Sequence, residues 1–353
     1  FLLTPAFASE NRGIDKDVIK KIQADFKMSR TNRALYNAIS GSNVKELAVN
    51  RDLLRNHNDF YSDEIDVKSI TNQKASGRCW LFATLNSLRP CVIEKNDLKD
   101  FQFSQIYLSF WDKFEKANTF YENIIRLRQR DLMDRELVFA LRSPIGDGGY
   151  FENARNLIDK YGAVPCEVMP ETHNSENTAV MNKVLDRKLR VDAIKLRKMA
   201  SKGKAVDELR EAKEKMLSDV YRILVLNMGQ PPVKFDWRYK PKSDGDDDEN
   251  EDCDKDKSVI VKNLTPKKFY KKFVGVDLGE YVDLANAAPH KLGRLYHVGM
   301  TKNMHDGDPM GFANVSLEDL KAIAIKSIKD GSAMYFSAEV GIDQHNKKGL
   351  MAK

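Results

Sequence analysis

The sequence predicts an α+β fold, with helices over roughly the first two-thirds of the chain and strands in the remainder. Two observations predict it. Apolar residues recur at helical offsets in most segments up to residue 228, where Gly229-Gln-Pro-Pro232 stops the pattern. Beyond that point, stretches with strand character appear at 294–301 and 332–340, separated by one helix. At 353 residues the chain is long enough for two lobes, or for one core with a large insertion. Charged residues at 31% and hydrophobic residues at 42% exclude extended disorder. No segment approaches the roughly 18 uninterrupted apolar residues of a membrane helix.

Residues 1–8 look like the end of an apolar signal segment, with Ala6-Phe-Ala8 as a small-x-small cleavage site. This predicts a periplasmic or secreted protein; the alternative is an ordinary hydrophobic N-terminal strand in a cytoplasmic one. Residues 9–60 form a helical arm, opened by Asp15 as N-cap, with Val18, Ile19, Ile22 and Phe26 on one helix face. Residues 61–175 read as a helical lobe. Trp80, Leu81, Phe82, Leu85 and Leu88 mark a buried helix starting near Cys79, and helical periods return over 103–120 and 121–140. Ser143-Pro-Ile-Gly-Asp-Gly-Gly149 interrupts them. Residues 176–240 form a helical insertion whose stripe is Val206, Leu209, Met216, Val220, Ile223 and Leu224. An acidic loop spans 241–258. The β-rich part spans 259–353 and includes a short helix at 265–273, with Thr265 as cap and Pro266 at N1, and a helix at 316–330 capped by Ser316.

The segment Thr71–Ala83 carries the chemistry. Cys79 follows a Gly-Arg turn and opens an apolar helix, so its thiol faces unpaired backbone N–H groups and the positive end of the helix dipole. Both favour the thiolate, the form that attacks carbonyl carbon. Gln73, six positions upstream, is placed to donate to the oxyanion that develops during the attack. A cysteine beside tryptophan in a helix can equally be a small buried hydrophobe, and the surrounding motif is what favours a nucleophile. Cys91, Cys166 and Cys253 form no CxxC pair, zinc spacing or disulfide framework. In the acidic run from Asp244, the sixth and twelfth positions are Glu249 and Lys255, not the glycine and carboxylate of an EF-hand. No metal and no cofactor is expected.

Asn72-Gln-Lys-Ala-Ser-Gly-Arg-Cys-Trp-Leu-Phe-Ala83 resembles the papain superfamily, and within it the bleomycin hydrolase and aminopeptidase C family. Phe101-Gln-Phe-Ser-Gln105, Gly146-Asp-Gly-Gly149, Tyr161-Gly-Ala-Val-Pro165, Met169-Pro-Glu-Thr172, Tyr221-Arg-Ile-Leu224 and His290-Lys-Leu-Gly-Arg-Leu-Tyr296 extend the resemblance from about residue 10 to the end. It implies a papain-like cysteine peptidase fold with helical insertions, peptide substrates, aminopeptidase activity and a homohexamer. It also implies that Asp147, Gly148 and Gly149 lie along the substrate; a glycine pair permits close backbone approach, and a plain connecting turn is the alternative. The sequence departs from the family in two ways. Ser76 stands where many papain relatives have a second cysteine, and the His-Ala-Met-like and Asn-Ser-Trp strings expected of the base and its orienting residue do not occur. Each of His57, His173, His290, His297, His305 and His345 sits in a turn, loop or structural segment. The expectation is that the chain stops before the base, with its second, β-rich lobe incomplete and hydrolysis by it negligible.

The net charge of +6 is unevenly placed. Residues 187–204 are dense in Lys and Arg with Asp192 as the one acid, while 244–256 hold nine carboxylates and Lys255. The basic stretch reads as a solvated helix face, with a nucleic-acid patch as the alternative. A binding or scaffold protein that keeps the fold without the activity is the other alternative.

Overall fold

The structure, a computed structural model, describes residues 13–58, 60–242, 258–341, 343–345, 347 and 349–351. The expected signal remnant at 1–8 and the acidic run at 244–256 lie outside the described residues. The chain divides into two compact units, one drawn from its two ends (to Tyr61 and from Ser337) and one running Ser62–Phe336.

The first unit contains α1 (Lys16–Asp25), α2 (Arg30–Ser40), α3 (Val44–Leu47) and α4 (Arg51–Asn56). Each begins at a side-chain cap: Asp15, Ser29, Asn43 and Asn50 accept from first-turn N–H groups. Val18, Ile19, Ile22 and Phe26 share a side of α1 as their spacing predicts, yet all four are exposed. In the same unit Gln344–His345 pairs antiparallel with Leu350–Met351, and His345 Nε2 meets Glu46 Oε2 at 2.9 Å.

The second unit holds the core. Its helices are α5 (Cys79–Lys95), α6 (Gln105–Arg126), α7 (Arg135–Arg142), α8 (Phe151–Tyr161), α9 (His173–Glu176), α10 (Ala179–Ser201) and α11 (Val206–Met228). Strands β1 (Phe235–Tyr239) and β2 (Val259–Leu264) then pair antiparallel. Helix α12 (Pro266–Phe269) runs on into a single π-turn at Tyr270–Val274. In the sheet that follows, β5 (Gly311–Asn314) lies between β3 (Leu284–Ala285), to which it is parallel, and β4 (Arg294–His297), to which it is antiparallel. Helix α13 (Leu317–Lys329) follows. Helix α6 is central: Ile106, Phe110, Ala117, Phe120 and Ile124 form its buried stripe against α8, α10 and α11. Trp237 is buried where β1 meets the end of α12, its ring 5.1 Å from Phe269 and 4.8 Å from Phe273. Burial of each such ring contributes about 1.5–3 kcal/mol.

Three expectations differ from the structure. The helical period over 121–140 is split, because α6 ends at Arg126 and Asp134 caps α7 by accepting from Glu136 and Leu137 N–H. Arg197 fastens the intervening turn through the carbonyls of Leu127 and Arg130. The strand expected over 294–301 stops at His297, and Met300 turns the backbone with φ +58°. Residues 332–340 form no strand; strands exist as pairs, and this segment pairs with none among the described residues. Helix α13 is capped by Ser316 as expected, but no residue of it is buried. In the basic stretch, several cations have internal partners: Lys188 pairs with Asp192 and Asp219, Arg190 reaches the carbonyls of Leu141 and Arg142, and Lys204 pairs with Glu208.

Candidate active site

Cys79 is the first residue of α5, a free and exposed thiol. The chain reaches it through a turn whose shape is fixed residue by residue. Lys74 takes φ +54°, and its N–H is accepted by Asn72 Oδ1 at 2.8 Å. Ser76 Oγ donates to the Gln73 carbonyl at 2.6 Å and accepts from Arg78 Nε at 3.0 Å. Arg78, buried at the N-cap position, is paired with Glu171 at 2.9 Å and lies over the Phe82 ring. Gln73 is half-buried, and its Oε1 has no hydrogen-bond partner.

Asp147 holds this turn from both sides of Cys79. Its Oδ2 accepts from Gly77 N–H at 3.0 Å, two residues before the thiol, and its carbonyl accepts from Trp80 Nε1 at 2.7 Å, one residue after. The carboxylate is itself fixed by Lys113 Nζ at 2.6 Å, Thr178 Oγ1 at 2.5 Å and Asn182 Nδ2 at 2.9 Å. Burial alone would raise the Asp147 pKa; the Lys113 ammonium and these donors outweigh it and hold the carboxyl well below its ordinary range. Burial lowers the Lys113 pKa, against the pull of Asp147. One turn along α6, Lys116 pairs with buried Asp112 and donates to the carbonyls of Gly146 and Gly148 at 2.9 and 2.7 Å. Two lysines of one helix therefore fasten the glycine loop.

The structure thus gives the three loop residues expected along the substrate different surroundings. The Asp147 side chain is turned inward and positions the Cys79 turn. Gly148 is exposed, with open space where a Cβ would lie. At Gly149 a Cβ would come within 2.6 Å of the Trp80 indole, so the glycine lets the loop cross tryptophan. Sequence reasoning missed Lys113, Thr178 and Asn182. Lys113 had a visible signal: it occupies the stripe position between Phe110 and Ala117, and a charge there needs a buried partner.

Among the described residues, none of His173, His290, His297 and His305 hydrogen-bonds to Cys79. His290 packs against Tyr296 and Phe312 instead. A groove lined by Phe101, Cys166, Glu167, Trp237 and Tyr239 contains none of the residues around Cys79.

Comparison with known proteins identifies the family and the fold. The model of the Peptidase C1-like family matches residues 13–353. Aminopeptidase W of Lactobacillus delbrueckii subsp. lactis is 38% identical over 338 residues, covering 96% of this chain and 74% of that protein. Aminopeptidase C of Lactobacillus helveticus is 35% identical over 344 residues, covering 96% and 73%. The crystal structure of PepW from Lactobacillus rhamnosis superposes with a TM-score of 0.82 at 36% identity, covering 91% of this chain and 70% of that one. The chain belongs to the Peptidase C1-like family, and its α+β fold is papain-like.

Proposed function

We propose that this member of the Peptidase C1-like family is a cysteine-type aminopeptidase with Cys79 as its nucleophile. The observation that carries the proposal is an exposed, free thiol on the first residue of a helix whose entry turn is held on both flanks by a buried ion pair. The helix start supplies N–H groups and a positive dipole end at the sulfur. In the reaction the thiolate adds to the carbonyl carbon of the peptide bond, forming the S–C bond and placing negative charge on oxygen. The Cys79 N–H and the Gln73 side-chain amide are the donors assigned to that oxygen. Collapse breaks the C–N bond, and the leaving amine takes the proton first removed from the thiol. Water then hydrolyses the thioester and restores the thiol.

A peptidyl chloromethyl ketone followed by peptide mapping tests this directly. Modification is expected at Cys79 and is lost in Cys79→Ala; modification at Cys91 or Cys166 in its place overturns the assignment. The relatives' names, aminopeptidases W and C, give the exopeptidase direction. The exposed apolar sides of α1 and α2, with Ile22, Phe26, Leu35, Tyr36 and Ile39, support a homo-oligomer, which sedimentation equilibrium tests.

A further inference from the structure

The helix that carries Cys79 also grips the chain that leads into it. Arg89, further along α5, is 1% exposed. Its guanidinium reaches one residue twice: Nη1 donates to the Ser69 carbonyl at 2.9 Å and Nη2 to the Ser69 hydroxyl at 2.7 Å. Gln102 Nε2 donates to the same hydroxyl at 3.3 Å. Asn86 precedes Arg89 by three positions on the same side of α5, and its Nδ2 donates to Thr71 Oγ1 at 2.6 Å. Asn86 stands about two helical turns from Cys79 and so shares its face of the helix.

Stability alone is a poor account of Arg89. Desolvating a guanidinium is costly, and here the compensation is incomplete. The carboxylate beside it, Asp100, is half-exposed and 3.3 Å from Nη2, and Nε is buried without a hydrogen-bond partner. The two shortest bonds both go to Ser69. A fork of N–H groups on one residue fixes direction as well as distance, which neither an apolar side chain nor a lysine does.

Gln73 needs such a fixture. Its Oε1 is buried without a hydrogen-bond partner, so the backbone has to aim the amide. Downstream, that backbone is held by Ser76 Oγ on the Gln73 carbonyl, by the bridge from Ala75 to Asn177, and by Asp147 at Gly77. Upstream, the holds are at Thr71 and Ser69, and both come from α5. We propose that Arg89, with Asn86, is a positioning residue for the oxyanion donor. By fastening Ser69 and Thr71 to the helix that carries Cys79, the pair sets the Gln73 amide and the thiol in one frame. An oxyanion site acts through donors fixed before the charge develops, and this clamp supplies the fixing. The proposal rests on the reading of Gln73 as an oxyanion donor, and it names the residues through which that donor is aimed.

Leucine nitrile provides the test. Cys79 adds across its C≡N bond: sulfur bonds to carbon, nitrogen takes the thiol proton, and that nitrogen stands where the carbonyl oxygen would. The adduct is reversible, and its affinity is read by mass spectrometry as protection of Cys79 from iodoacetamide. Alkylation without nitrile reports the thiol itself. Gln73→Ala is expected to weaken nitrile binding about tenfold, as the loss of one net hydrogen bond implies. Arg89→Lys keeps the charge without the fork, and is expected to weaken binding about fivefold or more through misplacement of the donor. Its alkylation rate is expected to stay within about twofold of the unaltered protein. Added to Gln73→Ala, Arg89→Lys is expected to cause no further loss, because both act through one amide. Asn86→Ala is read by the same outcomes and serves in its place where Arg89→Lys does not fold. Undiminished nitrile affinity in the clamp variant overturns the proposal, and so does an equal loss with and without Gln73. Affinity that survives Gln73→Ala overturns the oxyanion assignment, and this proposal with it. Absence of protection in the unaltered protein overturns the aminopeptidase reading itself.

Discussion

Asp147 and Asp283 are both partly buried aspartates of the same compact unit, and their carboxyls are driven in opposite directions. Burial raises both. At Asp147 the buried Lys113 ammonium reverses the outcome, whereas at Asp283 the neighbour is a second carboxyl and the outcome is reinforced. Burial sets the size of the electrostatic problem, and the partner sets its sign. The first aspartate is a finished structural joint, with every oxygen engaged. The second faces another carboxyl, Glu152, and the Arg155 charge is the smallest influence on it.

The largest effect is expected where the finished joint is opened. Lys113→Met leaves the Asp147 carboxylate uncompensated and should cost roughly 3–5 kcal/mol of stability in urea titrations. A loss below about 1 kcal/mol would show that the pair does not hold the turn. Next comes Gly149→Ala, whose added methyl meets the Trp80 ring and should destabilise by about 1–3 kcal/mol, accompanied by a change in tryptophan fluorescence.

The two aspartates also predict opposite pH slopes. The depressed Asp147 contributes stability that is present above its unfolded value near 3.8 and is lost as pH falls through the folded one. The raised Asp283 contributes most when protonated, so its contribution is lost as pH rises from about 4 to about 7. Thermal scans should show that Asp283→Asn flattens the slope between those values, while Asp147→Asn acts on the acid limb below them. An unaltered slope in Asp283→Asn would show that this carboxyl is not raised. The smallest expected effect is at α13. Ser316→Ala removes the cap of α13, which buries nothing, and should cost about 0.5–1 kcal/mol.

The two aspartates also mark how far the sequence could be read. The helix start at Cys79 was legible because Trp80, Leu81, Leu85 and Leu88 announce it and Gly77-Arg78 precedes it. Lys113 was legible in principle, as a charge on an apolar stripe. Its partner was not: Asp147 lies 34 residues away on a loop whose period says nothing of direction. The bond from Gly77 to Asp147 spans 70 positions and is a product of tertiary packing alone. Asp283 and Glu152 are further apart still, in segments joined by the packing of Phe151 on Tyr281. The β-rich part was read least well. Strand character at 332–340 states a preference, but pairing depends on a neighbouring edge, and the end of β4 depends on one left-handed residue, Met300.

Cys79 and Cys91 stand on the same helix, and both are exposed, so access is matched and reactivity can be compared within one molecule. Iodoacetamide competition at neutral pH, read by peptide mapping, is expected to modify Cys79 at least about tenfold faster, with the ratio shrinking in Asp147→Asn. Equal rates for the two thiols in the unaltered protein would contradict the assignment of Cys79 as a nucleophile.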